Sequence, residues 1–333
     1  MNSEPSLSVV VCAYTLDRWD DLQAAIASVQ SQHRPADDIV LVVDHCPELY
    51  RLARRSLPGV RVMPNLQRKG LSGARNTGVE AALGNVVAFL DDDATAIPSW
   101  TERLLAKYEE PNVVGVGGLV VPRWHTSRPA WFPPEFDWVV GCSYRGLPEH
   151  SGRVRNFIGA NMSFRRDELV AAGGFRTDLG RVGTRPLGCE ETELCLRIAA
   201  RRPGAVLLYE PSAAVHHRVP ETRACWAYFR QRCYAEGLSK ALVVQHSKGR
   251  AALASERTYL RSAMPRAFAR SLRPGRPPGP RTFAALSAGV GATVAGYVVG
   301  RIRSWRSAAP PHHAAPTPGR RPADRCCTDS SGT

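Results

Sequence analysis

The sequence lacks the cysteine patterns of a metal finger or a disulfide scaffold. Its nine cysteines include no Cys-x-x-Cys pair and no zinc-ligand spacing, and several lie within apolar stretches. An odd number of thiols in such positions is typical of reduced, buried cysteines in a reducing compartment. The first residues also lack a basic segment followed by a long apolar run, so the sequence predicts no signal peptide. We therefore expect the body of the protein to lie in the cytoplasm.

Lysine is absent from the last part of the chain, where arginine is abundant. Residues 250–333 contain 14 Arg, no Lys and three acids, and so carry a net charge of +11 out of +14 for the whole chain. The first 249 residues are therefore nearly neutral, which argues against a protein that binds nucleic acid with its whole surface. A near-neutral body with a basic extension favours an anionic membrane surface as partner, although a solvated arginine-rich tail explains the same charge.

Two common phosphate-binding fingerprints are missing as well. The glycine-bearing segment 70–78 reads Gly-Leu-Ser-Gly-Ala-Arg-Asn-Thr-Gly. It does not match the Gly-x-Gly-x-x-Gly turn of dinucleotide-binding proteins, and no Gly-Lys-Ser/Thr follows that would make it a P-loop. The sequence therefore excludes these two ways of binding a nucleotide.

The chain instead shows a regular alternation of strands and helices. Apolar runs predict strands at residues 8–13, 38–44, 60–63, 86–90, 113–121 and 205–209. Segments with helical spacing predict helices at residues 18–32, 47–55, 73–83, 98–108, 167–172, 190–200 and 222–245. Strands separated by helices are typical of a mostly parallel sheet with right-handed crossovers, so the sequence predicts an α/β fold.

Three consecutive aspartates, Asp91-Asp92-Asp93, directly follow the apolar run 86–90. A run of this kind predicts a buried strand, whose end would deliver three carboxylates to the carboxyl edge of the sheet, where open α/β sheets bind ligands. The mutual repulsion of these anions would be relieved by Mg²⁺ or Mn²⁺ carrying a phosphorylated ligand. A solvated loop that caps the next helix, near Pro98, is the alternative.

Five motifs in the same order resemble those of family 2 glycosyltransferases of the GT-A fold. They are Ser-Val-Val-Val…Tyr (8–14), Val-Val-Asp (42–44), Ala-Arg-Asn-Thr-Gly (74–78), Leu-Asp-Asp-Asp (90–93) and Glu-Glu-Thr-Glu-Leu-Cys-Leu-Arg (190–197). The resemblance covers about residues 7–240 and implies a mostly parallel, Rossmann-like sheet flanked by helices. The Gln-x-x-Arg-Trp motif of processive synthases is absent, which favours a single transfer.

The resemblance implies a binding site for a nucleotide-diphospho-sugar donor and a divalent cation. Asp93 would be the direct metal ligand, with Asp91 and, from the adjacent pair His216-His217, His216 as supporting ligands. The donor would also contact residues at the ends of several strands and on a later helix: Ala13, Tyr14, Asp44, Arg75, Asp91, Asp92 and Arg232. Asp44 is followed by His45 rather than by a second acid, so the base of the donor stays open.

The same resemblance implies a general base and an acceptor side. A carboxylate must take the proton of the acceptor hydroxyl, and Glu191 matches the position of the family's base, with Glu190 as its rival. Acids in the first turn of an ordinary helix are the alternative explanation. Asn161 and Trp138 are expected on the acceptor side, although Asn161 also fits a capped turn before the helix at Asp167.

The expected domain organisation follows the motifs and the composition. Residues 1–245 are predicted to form the catalytic domain, with a nucleotide-sugar half (1–121) and an acceptor half (122–245). A basic helical extension and linker (246–281), a weakly apolar helix (282–304) and a disordered tail (305–333) would follow. Residues 282–300 have no charge, and Gly296 and Gly300 would allow close helix contact. This helix could associate with the inner face of the cell membrane or pack on the catalytic body.

These expectations together predict a metal-dependent, inverting glycosyltransferase. Its acceptor would be a hydroxyl group of a glycan, a lipid or a small molecule, in glycoconjugate synthesis. A sugar-phosphate nucleotidyltransferase is a rival, but it would need a glycine-rich basic loop after the first strand, where the chain has Ala-Tyr-Thr-Leu-Asp (13–17). A membrane-tethered binding protein with a degenerate site is the second rival, and the intact acids argue against it.

Overall fold

The computed structural model describes residues 5–180, 188–246, 253–272 and 279–308. The strands are β1 (Leu7–Ala13), β2 (Asp38–Val43), β3 (Arg61–Pro64), β4 (Val86–Asp91), β5 (Ala94–Ala96), β6 (Val113–Trp124), β7 (Gly152–Arg153), β8 (Asn161–Arg165) and β9 (Val206–Val219). The helices are α1 (Trp19–Gln30), α2 (Pro47–Ser56), α3 (Leu71–Ala81), α4 (Trp100–Leu105), α5 (Arg166–Ala171), α6 (Glu190–Arg201), α7 (Trp226–His246), α8 (Ala254–Ser271) and α9 (Pro280–Ala308).

All nine strands form a single mixed sheet in the order β3-β2-β1-β4-β8-β6-β9-β5, with β7 paired to β9. The strands β3, β2, β1 and β4 are parallel, as are β6 and β9, whereas β8 runs antiparallel between β4 and β6. The predicted α/β class with a mostly parallel sheet is thus confirmed. The apolar runs of β1, β2 and β4 are buried because helices cover both faces of the sheet.

The alternation of side chains along the strands builds one apolar core on each face of the sheet. In β1, Val9 and Val11 belong to the core under α1 and α4, while Val10 belongs to the opposite core under α3, α5 and α6. Trp100 at the start of α4 is the largest fully buried side chain of the first core. The sheet is thus packed on both faces, and this packing positions the residues at its carboxyl edge.

The short strands β5 and β7 were not predicted, and two longer strands near the site also differ from the predicted pattern. The segment at Asn161 forms β8 rather than a turn, and β9 continues to Val219 instead of ending at Tyr209. Both strands hold polar side chains that find partners inside the sheet, which an apolar pattern cannot indicate. The extension of β9 matters for the site, because it carries the two adjacent histidines past the aspartate triplet.

The helix α9 packs closely along α7 through glycines. A Cβ atom at Gly296 would lie 2.0 Å from the carbonyl oxygen of Tyr234, and one at Gly237 would lie 2.1 Å from that of Thr293. Among the described helices α9 is the one long and apolar enough to cross a membrane, over Pro280–Ser304, with a mean hydropathy of 1.6. It continues to Ala308, past the predicted start of the tail at 305, and the tail from residue 309 onward lies outside the described residues.

Candidate active site

The aspartate triplet lies at the carboxyl edge of the sheet, next to a histidine from β9. Asp91 ends β4, and Ala94 of β5 pairs with His217 of β9. One ligand atom each from Asp91, Asp93 and His217 lies within 4.8 Å of the others. His217 Nε2 is 3.0 Å from Asp93 Oδ1 and 3.9 Å from Asp91 Oδ2. Two carboxylates and an imidazole form a candidate site for a divalent cation of the Asp-x-Asp type.

The prediction that His216 supports the metal is corrected to His217. His216 is exposed, while His217 is buried beside the aspartates. Successive side chains of a strand point to opposite faces, so only one of two adjacent histidines can reach the site. Ala213 and Val215 are buried on the same face of β9 as His217. The sequence could not choose between the two histidines, because Ala214 is apolar as well and the run shows no alternation.

Cations around the triplet keep Asp93 ionised. Arg18 lies 2.9 Å from Asp92 and 3.3 Å from Asp93, and Arg223 lies 3.6 Å from Asp93. Burial raises the pKa of the Asp93 carboxyl, but His217, Arg223 and Arg18 outweigh it and hold the pKa below its usual range. Burial lowers the pKa of His217, but the Asp93 carboxylate raises it well above the ordinary value. An anionic Asp93 suits the predicted role of direct metal ligand, and His217 would release its proton when a metal binds.

Asp92 has a different environment from its neighbours. It is buried, and burial together with the charge of Asp93 raises its pKa to about 7. Its partner is Arg18, and it is not a member of the Asp91-Asp93-His217 group. Asp92 therefore holds Arg18 beside the metal site and does not itself act as a candidate metal ligand. Neither Arg18 nor Arg223 was predicted as a site residue, because each lies at the start of a predicted helix, where a single arginine carries no recognisable pattern.

Arg75 connects the metal side of the site to the first turn of α6. Its guanidinium is buried, donates to Glu190 Oε1 at 2.8 Å and lies 3.6 Å from Asp91. It also donates to the carbonyl of Gly159 at 3.1 Å. The predicted residue Arg75 thus lies at the centre of the site, and its ion pair holds Glu190 in place.

The two acids that begin α6 have different surroundings. Glu190 is 4% exposed and held by Arg75, whereas Glu191 is half-buried at the cavity wall. Burial, followed by the negative charge of Glu190, raises the pKa of Glu191 to about 8. A carboxyl whose pKa is raised toward the working pH is suited to proton transfer. The geometry therefore favours Glu191 over Glu190 as the group that exchanges a proton.

A cavity of about 290 Å³ brings most of these groups together. Its wall contains seven residues that the sequence predicted for the donor, the base or the acceptor side: Arg75, Asp91, Asp93, Trp138, Glu190, Glu191 and Arg232. Apolar side chains of α8 and α9 continue the wall, among them Leu260, Val290 and Val294. The cavity therefore extends from the metal side of the sheet to the C-terminal helices.

Three residues predicted to contact the nucleotide lie at the ends of β1 and β2, outside this cavity wall. Ala13 is buried and Tyr14 is 47% exposed, with the Arg18 guanidinium 5.3 Å from the centre of its ring. Asp44 accepts from the backbone N–H of Gly70 at 2.9 Å and from the Asn65 amide at 2.6 Å. Gly70 has a φ of 128°, a conformation that favours glycine, and this turn starts α3. Asp44 therefore fixes the loop beside the site.

Asn161 does not face the cavity, and its predicted contact with an acceptor is corrected. The residue is fully buried in β8, where its Oδ1 accepts from Trp100 Nε1 at 2.9 Å. Its amide donates to the carbonyls of Leu119 and Ala213 at 3.0 and 2.9 Å. With these partners the side chain stabilises the sheet where β6 and β9 lose regular pairing.

Comparisons with known proteins identify the family of the chain. The model of the family "Glycosyl transferase family 2" matches residues 8–170. The glucosyl-dolichyl phosphate glucuronosyltransferase of Haloferax volcanii is 37% identical over 241 residues, which cover 71% of this chain and 77% of that protein. The succinoglycan biosynthesis protein ExoM of Rhizobium meliloti is 26% identical over 243 residues, 71% of this chain and 74% of that protein. The chain belongs to glycosyltransferase family 2.

The solved structures support the fold. A mannosyltransferase from Pyrobaculum calidifontis, solved with GDP-Man and Mn²⁺, superposes with a TM-score of 0.56 at 20% identity, covering 91% of this chain and 87% of that one. The predicted GT-A fold is confirmed. The protein is therefore a metal-dependent glycosyltransferase that uses a nucleotide sugar in glycoconjugate synthesis, and the family assignment favours this over both rival functions.

Proposed function

We propose that the protein transfers a sugar, with inversion, from a nucleotide-diphospho-sugar to a hydroxyl group of a membrane-borne acceptor. The observation that carries the proposal is the single cavity that Asp91, Asp93 and His217 share with Glu191. It allows the leaving group and the attacking hydroxyl to be held on opposite sides of one sugar ring. Transfer by direct in-line displacement inverts the configuration of the anomeric carbon.

The donor side consists of anionic ligands and of cations held in place. Asp93, Asp91 and His217 would hold Mg²⁺ or Mn²⁺, which when bound neutralises negative charge on the departing nucleoside diphosphate. Arg75, fixed by Glu190, adds a buried positive charge beside Asp91. Tyr14, Ala13 and the Asp44 loop are proposed to surround the nucleoside, because they lie at the carboxyl ends of β1, which pairs with β4, and of β2, which pairs with β1.

Glu191 is proposed to act as the general base. It takes the proton of the acceptor hydroxyl as the oxygen attacks the anomeric carbon, and the bond to the diphosphate oxygen breaks. Glu190 is less suited to this role, since its Oε1 already accepts a charge-assisted hydrogen bond from Arg75. Trp138, in the cavity wall, is proposed to pack against the acceptor.

The acceptor is proposed to reach the cavity from the inner face of the cell membrane. Leu260 on α8 and Val294 on α9 are about half exposed, at 47% and 53%, and both also line the cavity. Val298 and Ile302 continue the exposed apolar face of α9, and Arg301 is exposed beside them. The Haloferax volcanii relative is named for action on glucosyl-dolichyl phosphate, a lipid, which supports a lipid-linked acceptor here.

The variant Glu191→Gln tests the proposal. Glu191→Gln should keep Mn²⁺-dependent binding of the donor and lose about 10²–10⁴-fold in turnover, the usual contribution of a general base. Donor binding can be followed by calorimetry with a panel of nucleotide sugars, and the anomeric configuration of the product by NMR. A product with retained configuration, or full turnover by Glu191→Gln, would contradict the mechanism.

A further inference from the structure

The cavity wall also contains Arg232 of α7, a cationic group whose hydrogen-bonding capacity is only partly used. Arg232 is 8% exposed and lines the cavity. Its Nη2 donates to Glu236 Oε2 at 3.1 Å, whereas its buried Nε and Nη1 have no hydrogen-bond partner among the described residues. Buried N–H groups are nearly always paired, and an unpaired one is destabilising, more so when it carries a charge. These two donors therefore indicate a ligand with acceptor oxygens.

The surroundings of Arg232 favour an anion. Its carboxylate partner Glu236 is shared with Lys240, which lies 3.3 Å away. Lys240 also lies 2.7 Å from Glu256 of α8. The stretches 181–187 and 247–252, which flank the described residues next to α6 and α7, contain no Asp or Glu. Glu256 is also paired with Arg155. Three cations, Arg232, Lys240 and Arg155, thus share the two carboxylates of Glu236 and Glu256, and this favours binding of a further negative charge at the guanidinium.

Arg232 is separate from the cations of the donor side. The aspartates of the metal group are contacted by Arg18, Arg75, Arg223 and His217, and not by Arg232, among the described residues. The side chains around Arg232 belong instead to the C-terminal helices, with Lys240 on the same helix and Glu256 on α8. The apolar residues Leu260 and Val294 follow on the wall of the same cavity.

We propose that Arg232 is an acceptor-side anion site, which binds the phosphate of a lipid-phosphate acceptor and thereby selects for it. The proposal rests on the proposed function. A guanidinium with two donors that have no partner in the described part of the chain matches the paired oxygens of a phosphate group. The apolar wall beside it matches a lipid chain. The donor diphosphate is the other possible source of phosphate, and it is the one that the sequence motifs suggested for Arg232.

Binding of octyl phosphate and of nucleoside diphosphates can separate these two sources. Octyl phosphate should bind the full-length wild-type protein, and Arg232→Met should weaken it by about tenfold or more, as expected for a hydrogen-bonded charge. UDP or GDP with Mn²⁺ should bind both proteins equally. The matched control is Arg230→Met, because Arg230 is exposed on the same helix and its loss should change neither affinity. Calorimetry gives the dissociation constants for octyl phosphate and for the nucleoside diphosphate.

Arg232→Lys keeps the charge beside Glu236 but loses the planar fork of the guanidinium, and it serves if the methionine variant does not fold. It should bind octyl phosphate more weakly than wild type, and nucleoside diphosphate normally. If either variant lost nucleoside diphosphate binding while keeping octyl phosphate, Arg232 would belong to the donor site. Unchanged affinity for both ligands would make Arg232 purely structural. Loss of Mn²⁺-dependent nucleotide binding in the wild type would instead contradict the proposed function.

Discussion

At the scale of single residues, the adjacent histidines of β9 show how strand geometry selects a ligand. His217 is buried within 3.0 Å of Asp93, whereas His216 is exposed on the opposite face. We expect His217→Ala to weaken Mn²⁺-dependent binding of nucleoside diphosphate by about 10–100-fold or more, since loss of even an outer-shell partner has effects of that size. His216→Ala is the matched control and should bind normally. Calorimetry with and without EDTA would measure the affinity of both variants for nucleoside diphosphate. Equal losses of affinity would mean that His217 is not the metal-binding histidine.

The raised pKa of Glu191 predicts a pH dependence of turnover. A general base acts only when ionised, and burial and the charge of Glu190 raise the pKa of Glu191 to about 8. The turnover rate at saturating substrate should therefore increase with pH up to about 8 and level off above it. Glu190→Gln removes the neighbouring negative charge, so any remaining activity should reach its plateau at a lower pH. A pH–rate profile measures both midpoints, and an unmoved midpoint in Glu190→Gln would argue against Glu191.

At the scale of elements, the contact between α7 and α9 depends on glycine. A Cβ atom at Gly296 would lie 2.0 Å from a backbone oxygen of α7, whereas one at Gly291 of the same helix meets nothing within 4 Å. Gly296→Ala should therefore destabilise the protein by about 1–3 kcal/mol, the usual cost of overpacking. Gly291→Ala should be neutral or stabilise by up to about 1 kcal/mol, because alanine favours a helix.

Thermal and urea unfolding of these two variants would measure the difference. Equal stability of the two proteins would mean that α9 does not pack on α7 in solution.

The contact between α7 and α9 also bears on the role of α9. A helix whose glycine face packs against α7 can present only its other face to a membrane. The two sequence-based alternatives for residues 282–300 are therefore compatible with each other.

At the scale of the whole molecule, the exposed face of α9 predicts reversible membrane binding through apolar and cationic groups. Val298→Asp should reduce binding to vesicles that contain anionic lipid, because it places a charge on the apolar face. Val170→Asp is the matched control, since Val170 is also an exposed helical valine, 58% against 49% for Val298, but lies on α5, which directly follows β8 of the sheet. Vesicle flotation at low and high salt measures the effect, and high salt should weaken binding to anionic vesicles. If both variants floated with the vesicles to a similar extent, the exposed face of α9 would not be the membrane-binding surface.

Much of the fold was predictable because its signals are local. The apolar runs of β1, β2 and β4 are continuous in sequence, so the parallel half of the sheet and the helices between its strands follow from pattern alone. The strand β8 was not predictable in this way, because Asn161 is buried through partners from three other elements. A polar residue with such partners looks like part of a turn in the sequence.

The sequence by itself determined that Asp91-Asp92-Asp93 follow a buried strand, and hence that carboxylates gather at the carboxyl edge of an α/β sheet. Only the tertiary structure decided that His217 completes the metal group, that Arg75 holds Glu190 rather than Glu191, and that Arg232 faces the same cavity. The physical reason is distance along the chain. Arg75 and Glu190 are 115 residues apart, and a contact of that kind depends on how the sheet and helices pack together, which no local pattern of residue types encodes.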